Sequence, residues 1–237
     1  MPAVKRILSI DIGGNGLKAA IVGPHGKFLA DRVRVKTPVD RTPKKIVPLL
    51  VELVHPLGRF ECITVGFPGV VKRGRVISAP NLGTKAWHNF PLEAELRKRL
   101  KRPVKLLNDA DVQGLAAARG DGLELVCTLG TGFGTAWFRD GELMPHMDLA
   151  HLAINKKDDF DTYVGDKTRR KIGDKRWNKR IKNLIGILDR VFNYDHLYFG
   201  GGNSRWIDIK LPRNVTIVDN DAGMAGGAFA WSGTRRK

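Results

Sequence analysis

SIDIGGNGLKAAIV, residues 9–22, runs from an apolar strand through an aspartate and a glycine-rich turn into a second apolar strand. Glycine reaches φ > 0 without steric cost, so Gly13, Gly14 and Gly16 are expected to close a tight hairpin whose amides face an anion. The stretch is a candidate phosphate cradle. Asp11 at the strand end is a candidate for holding magnesium, because that hard cation takes oxygen ligands and keeps much of its water. Taken alone, the same residues read equally well as an ordinary glycine-containing hairpin, since short glycine motifs are weakly specific.

Working outward, 237 residues with 42% hydrophobic content suffice for one large domain or two lobes without staples. Cys62 and Cys127 lie in apolar runs without zinc-site spacing and are expected to be buried thiols. The opening MPAVKRILSID is too short in its apolar part for a signal peptide, and no apolar run approaches membrane-spanning length, so a cytoplasmic protein is expected. The balance of 41 Lys and Arg against 24 Asp and Glu leaves a formal charge of +17. Such a field concentrates polyanions and makes their binding salt-sensitive. Nucleic acid, inorganic polyphosphate and anionic membrane all qualify, and a general basic bias of composition accounts for the charge as well.

Along the chain, residues 5–11, 17–23 and 28–35 read as three consecutive strands, and 43–57 carry helical spacing with Thr42 as N-cap and Pro43 at the first position. ECITVGFPGVV reads as a buried strand ending in a loop, where open α/β sheets place ligands. Asn81 lies in the loop before a helix over 91–100. PVKLLNDADVQGLAAARG gives a short strand, an acidic loop and a small-residue helix, which sets Asn108, Asp109 and Asp111 at the strand-to-helix junction.

ELVCTLGTGFGTAWFRDGELM then repeats the opening pattern of strand, glycine turn and strand, about 120 residues later. Two such units indicate an internally duplicated two-lobed fold with a cleft. Residues 156–182 carry eleven Lys or Arg and five Asp, with a helix expected over 178–192. A solvated face is the ordinary reading of such a run. HLYFGGGNSRWI is a strand feeding three glycines, NVTIVDN another strand, and DAGMAGGAFAW a small-residue helix.

These motifs, in this order, resemble the sugar kinases of the repressor, open reading frame and kinase (ROK) family, with the polyphosphate-dependent glucokinases the nearest likeness within it. The matching stretches are SIDIGGNGLKAAIV, FPGVV, PNL, LNDAD, LGTGFGTAWFRDGELMPHMDLAHL and FGGGNSR. The resemblance implies an α/β, actin-like ATPase (ribonuclease H-like) duplicated fold, with a small lobe over 1–107, a larger lobe over 108–221 and a helix over 222–237 returning to the first. It implies that Asp109 is the general base, and that Asn81, Asn108, Asp148 and His151 bind sugar hydroxyls, with Asp161 as the nearest counterpart of a later sugar-binding glutamate. Gly13, Gly14, Asn15, Gly16 and Lys18 match the first phosphate loop, Gly130, Thr131 and Gly132 the second, and Gly200, Gly201 and Gly202 the turn that approaches the donor. Without the resemblance, Asp109 reads more simply as a helix cap and His151 as a satisfied core histidine.

Three departures stand out. Asp148 and Ala150 replace the glutamate and glycine of the family's Glu-x-Gly-His, and Ala153 stands where a further glutamate is usual. Missing carboxylates leave sugar hydroxyls unpaired at about 1–3 kcal/mol each, which opens the site to mannose or another polyol. The family's cysteine cluster is absent, so no structural zinc is expected, and the first strand starts too early for the DNA-binding module of the repressors.

The expected activity is phosphoryl transfer from polyphosphate, or ATP, to the primary hydroxyl of a hexose, with magnesium on the phosphates. Lys167, Arg169, Arg170, Lys171, Lys175, Arg176, Lys179 and Arg180 are expected to track the polyphosphate chain. The alternatives are a strictly ATP-dependent hexose or polyol kinase, and a catalytically weak sugar- or polyanion-binding protein. The resemblance further implies a homodimer, with no DNA or membrane partner.

Overall fold

The computed structural model describes residues 5–218 and 222–231. They divide into two compact units: the residues up to Ala116 with the returning segment from 222, and the residues from Ala117 to 218. The division falls inside a helix, so Asn108 and Asp109 belong to the first unit.

The first unit is built on strands β1 (Ile7–Ile12), β2 (Gly16–Val22), β3 (Val33–Lys36), β4 (Cys62–Phe67) and, after a small hairpin of β5 (Val71–Lys72) and β6 (Arg75–Val76), β7 (Val104–Asn108). The sheet order is β3-β2-β1-β4-β7. β1 is antiparallel to β2 and parallel to β4, and β4 is parallel to β7. Leu8, Ile10 and Ile12 alternate onto one face. There they meet Ile46, Leu50 and Val54 of helix α1 (Pro43–Val54), Trp87 of α2 (Thr84–Trp87) and Leu96 of α3 (Leu92–Leu100). Each fully buried side chain of this kind contributes roughly 1.5–3 kcal/mol.

Period-two alternation sends Ile7 and Ser9 to the other face. Helix α4 (Asp109–Ala117) follows β7, and a Cβ on Gly226 would fall on the Val112 carbonyl. Thr64 donates to the Gly227 carbonyl at 2.7 Å, which fixes the returning segment to the sheet.

Two expectations change here. The third strand covers 33–36 rather than 28–35, because only VRVK alternates apolar with charged residues, and Phe28 makes a single bridge to Val22. The C-terminal helix is one short turn, α8 (Ala222–Ala225), and a 3-10 turn at Gly226–Ala228, where glycines allow close approach. Part of that expected helix, and of the strand before it, lies outside the described residues.

The second unit repeats the plan. Its strands are β8 (Leu123–Leu129), β9 (Phe133–Arg139), β10 (Glu142–Leu143), β11 (His196–Gly200) and β12 (Val215–Ile217), in the order β10-β9-β8-β11-β12. Again the central strand pairs antiparallel with its hairpin partner and parallel with the strand that follows the helices. Those helices are α5 (Phe160–Val164), α6 (Asp166–Ile172) and α7 (Asp174–Phe192). Trp177, Ile181, Leu184 and Leu188 of α7 pack on Leu125, Cys127 and Leu129. Residues 160–172, expected only as a charged run, are thus helical. Both cysteines are free and buried.

Candidate active site

In the first unit, the turn between β1 and β2 is closed by the Gly13 N–H donating to the Gly16 carbonyl at 3.0 Å. None of Gly13, Gly14 and Gly16 has positive φ, contrary to the expectation. At Gly13 the need for glycine is steric instead. A Cβ on Gly13 would lie 2.9 Å from the Gly16 carbonyl oxygen, and one on Gly14 would lie 3.4 Å from the Asn81 Cβ. Asn81, exposed in its loop, is therefore brought against the turn. Thr37 Oγ1 braces it from β3's end by donating to the Gly13 carbonyl at 2.6 Å.

Asp11 and Lys18 face each other in the β1–β2 register, and Lys18 Nζ lies 2.8 Å from Asp11 Oδ2. The parallel ladder carries β7 to the same edge of the sheet, where Asn108 ends the strand and Asp109 starts α4. Asn108 is buried, donating to the Gly69 carbonyl at 3.1 Å and accepting from Ala110 N–H at 2.7 Å. Those bonds fix the junction. Gly66 leaves room there, since a Cβ on it would be 3.5 Å from the Asp109 Cα.

Asp109 has an outer face open to solvent. Its carboxyl is nonetheless crowded by protein, which pushes its pKa up to about 7, with the charges of Asp11 and Asp111 adding to the rise and the Ala110 N–H opposing it. A carboxylate poised near neutrality and reachable from solvent is suited to take a proton from an alcohol.

In the second unit, the turn between β8 and β9 is closed by Gly130 N–H to the Gly132 carbonyl at 3.0 Å. Three segments brace it. Asn203 Nδ2 donates to the Gly130 carbonyl at 2.9 Å, Asp166 N–H reaches the same carbonyl at 3.2 Å, and Asp161 Oδ1 accepts from Phe133 N–H at 2.7 Å. A Cβ on Gly132 would fall on the Asp161 carboxylate, and one on Gly201, at φ +83°, on the Leu129 backbone. Gly200 ends β11, and of the three glycines it is Gly201 that packs against Leu129 at the start of the second turn. Asn203 was not singled out by sequence, although an asparagine after three glycines is a ready donor to a turn carbonyl.

Asp148 and His151 are exposed on the loop after β10. Asp148 Oδ1 accepts from Ala150 N–H at 2.9 Å, and His151 Nδ1 lies 3.5 Å from Asp159 Oδ2. Hydrogen bonds from Thr162 hold the Asp159 carboxyl below the usual range, whereas burial pushes Asp161 up. Ala153 pairs with Asp159 in a single bridge. The loop therefore presents Asp148 and His151 outward, while α5 turns Asp161 inward to the β9 backbone.

The basic helices are not uniformly free. Arg169 is clamped by Asp174 at 2.6 Å and Asp166 at 3.3 Å and stacks on Trp206. Arg180 donates to the Tyr163 carbonyl and lies over that ring. Arg170, although exposed, pairs with Asp166 at 2.7 Å. Lys167, Lys171, Lys175, Arg176 and Lys179 are exposed.

No group of three metal-ligating side chains occurs among the described residues. Magnesium fits the first unit in another way, because it is commonly held through one or two carboxylates together with substrate phosphates. Asp11 offers a partly exposed carboxylate of that kind, close enough to Asp109 to raise its pKa.

A family model described as ROK family matches residues 7–149. The polyphosphate glucokinase of Mycobacterium leprae is 31% identical over 95% of this chain and 74% of its own length. The crystal structure of the inorganic polyphosphate/ATP-glucomannokinase from Arthrobacter sp. strain KM superposes with a TM-score of 0.85 at 32% identity, covering 95% of this chain and 98% of that one. A glucokinase from Streptomyces griseus, solved with glucose and AMPPNP, shares the fold at a TM-score of 0.76 and 19% identity, over 95% and 99% of the two chains.

Proposed function

The chain belongs to the ROK family, and on that premise we propose that it is a kinase moving a phosphoryl group from inorganic polyphosphate, and also from ATP, to the primary hydroxyl of glucose or mannose. The observation that carries the reading is Asp109, a solvent-reachable carboxylate raised to about 7 at the strand edge that also bears Asp11, Lys18 and the first glycine turn.

Asp109 takes the proton of the attacking hydroxyl, so the oxygen gains nucleophilicity as it meets phosphorus. Phosphoryl transfer is mostly positioning and electrostatics, to which a placed base adds about 10² to 10⁴ in rate. Lys18 and the amides of Gly13–Gly16 hold donor oxygens in this scheme, and the turn at Gly130–Gly132 holds more of the donor. Asp148 and His151 orient the sugar, with Asn81 beside the first turn. Asn108 and Asp161 each spend part of their polar capacity on backbone partners that keep the elements in place. Magnesium, held through Asp11, would neutralise charge on the phosphates.

We further infer a cytoplasmic homodimer, as the family likeness implies; sedimentation of the purified chain measures its mass. A coupled assay of polyphosphate and ATP against glucose, mannose and other polyols tests the activity. Formation of the sugar 6-phosphate from polyphosphate is expected, and its absence with every pair would end the proposal.

The pairing of Arg169, Arg170 and Arg180 with acidic or backbone partners favours a second reading, in which ATP is the only donor and the basic helices are solvated faces. Lys171→Glu with Arg176→Glu separates the two. A KM for polyphosphate raised about tenfold, with KM for ATP unmoved, supports polyphosphate on these helices.

A further inference from the structure

A cluster of four cations lies at the opposite edge of the first unit's sheet from Asp11 and Asp109. Arg6 directly precedes β1, Glu61 precedes β4 and Pro103 precedes β7, so all three stand at the amino ends of parallel strands. Around them is a cavity of about 560 Å³ lined by Arg6, Arg59, Lys101 and Arg102, with Phe60 and Pro103 as its apolar wall. The six residues of β1 span about 20 Å, so an anion held here is not the one being transferred.

Two of the four cations, Arg6 and Arg102, are held by backbone carbonyls. Arg6 Nε donates to the Arg59 carbonyl at 2.8 Å, and Arg102 donates through Nε to the Phe60 carbonyl at 3.0 Å and through Nη1 to the Lys101 carbonyl at 2.9 Å. The guanidiniums of Arg6 and Arg102 are thereby oriented by backbone, with further N–H groups left for a ligand. Lys101 occupies φ +54° at the end of α3, a position glycine fills more easily. Among the described residues none of the four has a carboxylate within ion-pair distance, whereas Arg169 and Arg170 on α6 do. The one acid of the cavity, Glu61, accepts from the Lys5 N–H at 2.8 Å.

We propose that this cavity is a second, non-catalytic site for oligophosphate, separate from the transfer site and engaging either an inner stretch of the polyphosphate donor or a free short polyphosphate. Oriented guanidiniums suit tetrahedral phosphate oxygens, several of which must be met at once for four cations to be neutralised. A chain of phosphates supplies them at close spacing. The wall offers only the half-buried Phe60 as an aromatic, which argues against a site for stacked bases. The link to the donor rests on the kinase reading above; the anion site itself does not.

The test is the double variant Arg59→Glu/Lys101→Glu, because both side chains are exposed and neither holds the backbone. Long-chain polyphosphate and tripolyphosphate are titrated calorimetrically against wild type and variant, with ATP and polyphosphate kinetics alongside. The expected result is about a tenfold loss of affinity for long chains and a matching rise in their KM, with ATP kinetics and thermal melting unchanged. A loss confined to tripolyphosphate binding, with polyphosphate KM unmoved, assigns the cavity to a free short anion. Arg59→Gln/Lys101→Gln, which adds no repulsion, should show the same pattern at smaller size. Unchanged affinity for both probes overturns the proposal, as does an equal loss for a single-stranded DNA oligonucleotide, which would mark a non-selective field. The titrations need no turnover, so they stand even if no sugar phosphate is made.

Discussion

The turn at 13–16 and the turn at 130–132 bend the same kind of antiparallel strand pair, yet they are held from different directions. The first is held largely by its own hairpin, through the Gly13–Gly16 bond and the Asp11–Lys18 pair directly across the strands, with Thr37 added from the neighbouring strand's end. The second is held from afar, by Asn203 after β11, Asp166 at the start of α6 and Asp161 in α5. A locally closed turn keeps its charges for a ligand and for tuning a nearby carboxyl. A turn braced from three sides is a rigid frame whose geometry depends on residues far along the chain.

That contrast is broken most forcefully at Gly201. Gly201→Ala places a methyl group on the Leu129 backbone at a φ that side chains avoid, and should destabilise the second unit by about 3 kcal/mol or more. Chemical denaturation followed by the tryptophans of that unit reads it; a loss under about 1 kcal/mol would show that the triple glycine does not support the turn.

Asp161 sharpens the comparison. Asp161→Ala leaves the buried Phe133 N–H without its acceptor, at about 1–2 kcal/mol. Asp161→Asn keeps an oxygen there and should recover most of the stability, with KM for sugar unmoved. A variant Asp161→Asn that loses sugar affinity instead would return this residue to the sugar site.

The smallest shift is expected in the pH profile of Lys18→Met, beside the loss of donor affinity that its phosphate contact implies. With its partner gone, Asp11 repels the Asp109 carboxylate more strongly, and the acid limb of kcat/KM should move up by about half a pH unit. A downward shift would contradict the electrostatic coupling of the two carboxylates.

The hairpin of β1 and β2 was legible because its apolar residues alternate and its glycines fall together, and the family's order of motifs placed Asp109 at the end of β7. The reason for the glycines was not legible. At Gly13 it lies in the approach of the Gly16 carbonyl, which only the folded turn brings close. Helix α6 was hidden because it buries no residue, so no apolar period marks it. Its Arg169 reads as one more surface charge until Asp174 and Trp206 close around it. The bond from the β9 backbone to Asp161 Oδ1 is likewise invisible until the chain is folded.

Asp109 joins these features to chemistry, and the sign of its pH dependence follows from its raised pKa. As a base it must be unprotonated, so turnover should fall as pH drops below about 7. The folded chain binds the extra proton between about 3.8 and about 7, so stability declines as pH rises through that window. Asp109→Asn should therefore be the more stable protein at pH 8, by about 1 kcal/mol once solvent on the open face is allowed for, and equal to wild type near pH 3.

The most direct measurement is single-turnover transfer from polyphosphate to glucose by Asp109→Asn, with glucose affinity determined on the same preparation. A rate lower by about 10² to 10⁴, with affinity within about twofold of wild type, is the predicted result. Transfer within about threefold of wild type would contradict the assignment of this carboxylate as the base.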